Sequence, residues 1–130
     1  TTAQNLYSVL ISLQSLLHEF PIQNEPGWEK ETGKKSDDYN NVLAFYNIKV
    51  AVIHMIEKTP EDFEVFKDIM IQYLVKNFSK YNEFIDKYSY LDKQTLRSGI
   101  YDMTVDYNIK ELQEKLLMLY SEYDSLYSDN

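Results

Sequence analysis

Residues 6–29 read LYSVLISLQSLLHEFPIQNEPGWE: an apolar, helix-periodic run that breaks off into turn-forming residues. Leu6, Val9, Leu10, Leu13, Leu16, Leu17 and Phe20 recur at spacings of three and four, which places them on one helix face. Asn5 stands where an N-cap is wanted and Pro21 stops the run. Ser8, Ser12 and Ser15 form a stripe of small residues on the other side, where another element could approach closely. The spacing predicts a core helix over 6–20. Beyond it, Pro26 fixes one backbone dihedral and Gly27 accepts positive φ, so 24–29 is expected to be a rigid turn anchored by Trp28.

Outward from there the pattern stays helical. After a loop over 21–35, the acids following Ser36 suit a positive helix N-terminus, and a second helix is expected to run to residue 58. One stripe of it is Tyr39, Val42, Leu43, Tyr46, Val50 and Ile53; another is Phe45, Ile48, Val52 and Ile56. Two apolar faces predict burial between layers. Thr59 reads as a cap, with Pro60 in the first turn and Glu61 and Asp62 after it. Phe63, Phe66, Met70, Tyr73 and Leu74 are the expected buried face of that third helix, interrupted near Asn77 or Ser79 before Tyr81, Phe84, Ile85 and Tyr88. A last helix over 106–127 repeats Ile109, Leu112, Leu116, Leu119, Tyr123 and Leu126 in three-four alternation. That is a coiled-coil seam open to self-association, or a face that packs back on its own domain. No segment reads as a strand, so this chain is expected to be all-α, with residues 1–90 as one unit and 91–130 as a helical C-terminal extension.

Composition closes off several functions. The net charge is −8, from 21 acidic against 13 basic residues, and so acidic a surface repels phosphate, which makes nucleic acid an unfavourable partner. With no cysteine there is no disulfide, no thiolate-bound zinc and no cysteine nucleophile in these residues. Three scattered glycines do not build a phosphate-cradling loop. His18 and His54 fall on different predicted helices without metal-binding spacing, so no metal site or cofactor is expected. Glu61 and Asp62 read as helix-start acids, and Lys34-Lys35 is too short for a basic patch. No run nears the roughly 20 apolar residues of a membrane span, and no signal-peptide pattern opens the chain, so an intracellular, cytoplasmic protein without a membrane partner is expected.

The order of the blocks carries more than their composition. The run Val9-Leu10-Ile11-Ser12-Leu13-Gln14-Ser15-Leu16-Leu17, then Asn24-Glu25-Pro26-Gly27-Trp28-Glu29, then Tyr39-Asn40, then Pro60-Glu61-Asp62-Phe63-Glu64, resembles ubiquitin-conjugating (E2) enzymes. The likeness is strongest to the giant BRUCE-type hybrid E2/E3 group and spans residues 7–88. It implies the helical C-terminal half of an α+β UBC fold. The family's N-terminal helix, four-stranded sheet and catalytic cysteine are then expected upstream of Thr1, in keeping with the missing strand pattern and missing cysteine.

Further expectations follow from the resemblance. Ubiquitin is carried as a cysteine thioester and passed to lysine, with E1 and E3 as partners of the whole domain and no cofactor in that step. Glu25 matches the family's acidic loop position beside the cysteine, with Asn24 next to it; a carboxylate there suits an incoming ammonium that must lose a proton. Tyr7, Ile11 and Gln14 are candidates for contact with the linked ubiquitin. This chain by itself is expected to be inactive. Its 6–20 face, bared of the sheet, should be covered by the tail helix, by a second copy or by upstream residues. The competing reading is a pseudo-E2 or helical interaction module that binds ubiquitin or scaffolds partners without catalysis. A purely structural four-helix protein ranks last, because it leaves the ordered blocks unexplained.

Overall fold

The computed structural model describes residues 5–127. Its core joins three elements. Helix α2 (Lys34–Tyr46) runs into a π-helical segment (Asn47–His54) and a last turn, α3 (Met55–Glu57). Helix α4 (Lys67–Asp86) returns, and α5 (Ile109–Tyr127) packs along it. Val42, Phe45, Ile48, Ile53 and Ile56 from the first rod meet Ile71, Leu74 and Ile85 of α4 and Ile109, Leu112, Leu116 and Leu119 of α5. Phe78 stacks on Tyr120 at 4.1 Å between ring centroids, and Tyr127 hydrogen-bonds Asp68, so the α4–α5 contact extends toward the far end of α5. The 109–126 seam is thus turned inward onto its own chain, with only Leu126 left exposed at its end.

The chain is not all-α. Between α4 and α5 lies an antiparallel hairpin, β1 (Thr95–Arg97) and β2 (Thr104–Asp106), with Leu96 opposite Val105. Its inward residues alternate: Val105 and Tyr107 are buried while Thr104 and Asp106 face water, the period of two that a half-buried strand requires. The Lys93 amide donates to the Tyr107 carbonyl and the Tyr107 amide to that of Gln94, which closes the hairpin base. Asp92 then accepts from the Lys110 amide at 3.2 Å, a carboxylate at the positive end of α5. Leu91, Val105 and Tyr107 belong to the same core as α2, so residues on both sides of position 90 share one interior.

The Tyr107 side chain is buried, and its hydroxyl has no hydrogen-bond partner among the described residues. Burial pushes that phenol up to about 12, so it stays protonated and its donor goes unused. Tyr107→Phe is therefore expected to stabilise the fold by about 1 kcal/mol, because it removes a buried polar group and keeps the ring. A urea midpoint that falls instead would show that the hydroxyl is satisfied.

Three local readings of the sequence are corrected. Thr59 does not cap the helix that follows; its hydroxyl donates backward to the carbonyls of Met55 and Ile56 and closes α3. Residues Glu61–Phe66 form a 3₁₀ turn, whose different rotation leaves Phe63 and Phe66 in solvent; Tyr73, farther on in α4, is exposed as well. The predicted stripe of the second helix drifts for a similar reason. Each π turn holds more residues than an α turn, so Val50 rotates outward while Ile48 and Ile53 stay in the core; Tyr46, the last residue of α2, is exposed too. The expected break in the third helix is present, at Asn77 (φ −114°, ψ 15°).

The largest departure is the first helix. It is α1 (Leu6–Gln14), shorter than expected, and none of its residues is buried. Asn5 caps it as predicted, in a reciprocal capping box with Ser8. The serine stripe bonds the helix backbone, Ser12 to the Ser8 carbonyl and Ser15 to that of Ser12. Leu6 is 75% exposed and Leu17 82%. The tail helix does not cover this face, because α5 is spent on α4.

Candidate functional site

The loop after α1 is tied down residue by residue. A 3₁₀ turn, Pro21–Asn24, drives Ile22 into a second small cluster with Tyr39 and Ile100, against which Trp28 packs. Glu25-Pro26-Gly27-Trp28 is a type II turn. The Trp28 amide donates to the Glu25 carbonyl at 3.1 Å, and Gly27 takes φ +86°, which an L side chain would resist. Glu29 accepts from the Gly27 amide, and the Lys35 ammonium lies 4.6 Å over the Trp28 ring. Asn24 donates to the Leu16 carbonyl at 2.9 Å and faces His18, so it anchors the loop to the residues just past α1. Asn40 does the same from α2, donating to the Glu19 carbonyl.

Glu25 is the focus of this scaffold. One carboxylate oxygen accepts from the Tyr39 hydroxyl at 2.9 Å, and the other accepts from the Tyr101 hydroxyl at 2.5 Å. Tyr39 comes from α2 and Tyr101 from the tip of the β-hairpin. The two donors, Tyr101 first and then Tyr39, hold the carboxyl below its usual range. Conversely, burial and the bond to Glu25 push the Tyr39 phenol up to about 12, and the bond to Glu25 also raises Tyr101. Both phenols therefore stay protonated donors at neutral pH and Glu25 stays an anion. Each carboxylate oxygen has capacity for another hydrogen bond, and Glu25 is only half-buried.

That geometry decides what the carboxylate can do. A base this weak is a poor trap for a proton from an ammonium near its ordinary value of about 10.4. A fixed anion is, however, well suited to accept a hydrogen bond from an amine and to stabilise positive charge as that amine attacks.

Of the residues singled out by sequence, the structure places Glu25 and Asn24 side by side in the loop, Asn24 as the anchor and Glu25 as the presented group. Tyr7, Ile11 and Gln14 lie along α1 at spacings of four and three, all exposed, on a helix so open that exposure does not distinguish them. Tyr39, read before as a core residue, also serves the site. Tyr101 was missed, and nothing local marks it: it is one of 12 tyrosines and stands 76 positions from its partner. Among the described residues no group of three His, Asp or Glu side chains is placed to hold a metal ion. No described helix is long and apolar enough to cross a membrane.

No protein-family model matches the chain. It is similar to proteins named ubiquitin-conjugating enzyme E2 Z. The match to that of Xenopus tropicalis is 39% identical over 85 residues, 65% of this chain and 26% of the relative. The Homo sapiens protein matches at 39% identity with 23% of its length covered, and that of Danio rerio at 38% with 25%. The chain thus spans about a quarter of the length of the curated relatives it matches. These similarities support a UBC-type, E2-like domain.

Proposed function

We propose that this chain is the helical C-terminal part of a ubiquitin-conjugating domain, in which Glu25 orients the attacking lysine toward a thioester formed on a cysteine outside these 130 residues. The observation that carries the reading is the pinned carboxylate: an ionised, half-exposed Glu25 with both oxygens gripped, in a loop that begins just beyond the apolar helix α1. The similarity to E2 Z proteins supports it independently. The 6–20 face, expected to be covered, is open among the described residues, with Leu6, Val9, Leu10 and Leu13 exposed, so it does not separate this reading from a non-catalytic one. On the ordered sequence blocks, we place it with the BRUCE-type hybrid enzymes. Ubiquitin, an E1 and an E3 would be partners of the complete domain, with Tyr7, Ile11 and Gln14 on the side offered to the linked ubiquitin. The non-catalytic alternative, a ubiquitin-binding module, draws on that same open helix.

The deciding experiment is an intact-mass charging assay with E1, ATP and ubiquitin on the protein extended to its upstream sequence. The expected product is a ubiquitin adduct that thiol reductant removes, while the 130-residue chain, lacking cysteine, takes up none. An extended protein that stays uncharged beside a charged E1 would leave the binding module as the better reading.

A further inference from the structure

Glu25 sits on a side chain with several free torsions, yet both of its oxygens are held, each by a donor from a different element. One of those elements, the β-hairpin, belongs to the stretch beyond residue 88, where the likeness to the family gives out. We propose that Tyr101 is a positioning residue: the hairpin tip reaches back across the fold to fix the Glu25 carboxylate for lysine transfer, so the C-terminal segment completes the site. This rests on the transfer role proposed above for Glu25.

The tip is built into the fold rather than draped on it. Ile100 is buried against Ile22 and Tyr39, under the loop that carries Glu25. Ser98 is buried as well, and its hydroxyl accepts from the Ile100 amide at 3.2 Å. The Ser98 amide donates to the Met103 carbonyl at 2.8 Å, and Arg97 pairs with Asp102 at 2.8 Å, which closes the turn. Between them, Tyr101 and Asp102 both hold positive φ, 55° and 50°, a region that costs residues with a Cβ and that the surrounding ties must impose. The outcome of that strained turn is a tyrosine that is 69% exposed but whose hydroxyl meets Glu25. A residue so exposed contributes little to the core, so the hydroxyl bond is what the conformation achieves. The Tyr101 hydroxyl also lowers the Glu25 carboxyl more than Tyr39 does, in agreement with this.

Tyr101→Phe removes the donor and leaves the ring. Two measurements test it. In the 130-residue chain, a carbon-detected NMR titration of the Glu25 carboxyl should find it below the usual carboxylate range in the wild type and moved upward in Tyr101→Phe. No movement overturns the inference whatever the fate of the enzymatic reading. In the charged, extended protein, Tyr101→Phe should leave thioester formation unchanged and slow discharge to free lysine about tenfold, the value of a hydrogen bond to a charged group. Placed on a Glu25→Gln background it should slow nothing further. Equal slowing on both backgrounds would mean Tyr101 acts by another route, which sinks the proposal. If Glu25→Gln is slow and Tyr101→Phe is not, the inference falls alone; if Glu25→Gln discharges at the wild-type rate, the transfer role of Glu25 and the inference fall together.

Discussion

Leu116→Ala lowers the stability of the 130-residue chain by about 3 kcal/mol, while Leu10→Ala on α1 changes it by less than about 0.5 kcal/mol. By periodicity alone the two leucines are equivalent, since each sits in a three-four apolar stripe. Their surroundings differ completely. Leu116 is fully buried where α5 meets α4 and the π segment, so truncation loses its transfer energy and leaves a cavity among Leu74, Leu112 and other close-packed side chains. Leu10 is more than half exposed on a helix without a buried residue, so truncation removes little that folding had covered. Urea unfolding of both variants with unchanged slopes is the check. A loss above about 2 kcal/mol at Leu10 would mean that α1 packs on the chain after all or on a second copy, and the latter would make the loss depend on protein concentration.

This contrast shows what a one-dimensional pattern holds. Periodicity identifies which residues want to be buried, and for Ile109, Leu112, Leu116 and Leu119 the chain itself supplies the partner. For Leu6, Val9, Leu10 and Leu13 the described residues do not, and no local signal could say so. Capping chemistry is legible when it is short-ranged: Asn5 and Ser8 close their box within three residues. It misleads where one residue has two possible duties, as when Thr59 turns back to Met55. The hairpin escaped because each strand has three residues, too few for alternation to stand out from helix-like spacing, although Val105 and Tyr107 do alternate with Thr104 and Asp106. The π segment has no compositional mark at all. At the site, the Pro-Gly turn was readable because turn chemistry is local, whereas Glu25 was singled out only by the family resemblance. The Tyr39-Asn40 pair gains a physical meaning only in three dimensions, Tyr39 gripping Glu25 and Asn40 gripping the Glu19 carbonyl. Tyr101 was out of reach, for a contact between positions 25 and 101 leaves no trace in either neighbourhood.

Glu25→Gln, in the extended and charged protein, is expected to slow discharge to lysine about a hundredfold while thioester formation proceeds normally. Gln keeps the size of the side chain and one acceptor for a tyrosine, so the loop and its turn should survive, and an unchanged melting temperature serves as the control. What is lost is the anion. The shape of the pH profile then separates two ways in which a carboxylate could help. Tyr101 and Tyr39 hold Glu25 below the usual carboxylate range, so it is ionised throughout neutral and alkaline pH and its own titration does not enter the profile. If it acts as a fixed acceptor that stabilises charge growing on the attacking nitrogen, wild-type and variant rates rise in parallel with pH as more amine is neutral, and the gap persists. If it acts by removing the proton from the ammonium, the curves converge at high pH, where the amine has already lost that proton. The depressed carboxyl argues for the parallel case. Rates that coincide at every pH would take Glu25 out of the reaction, and leave its double tyrosine grip as a structural tie between the α1–α2 loop and the C-terminal hairpin.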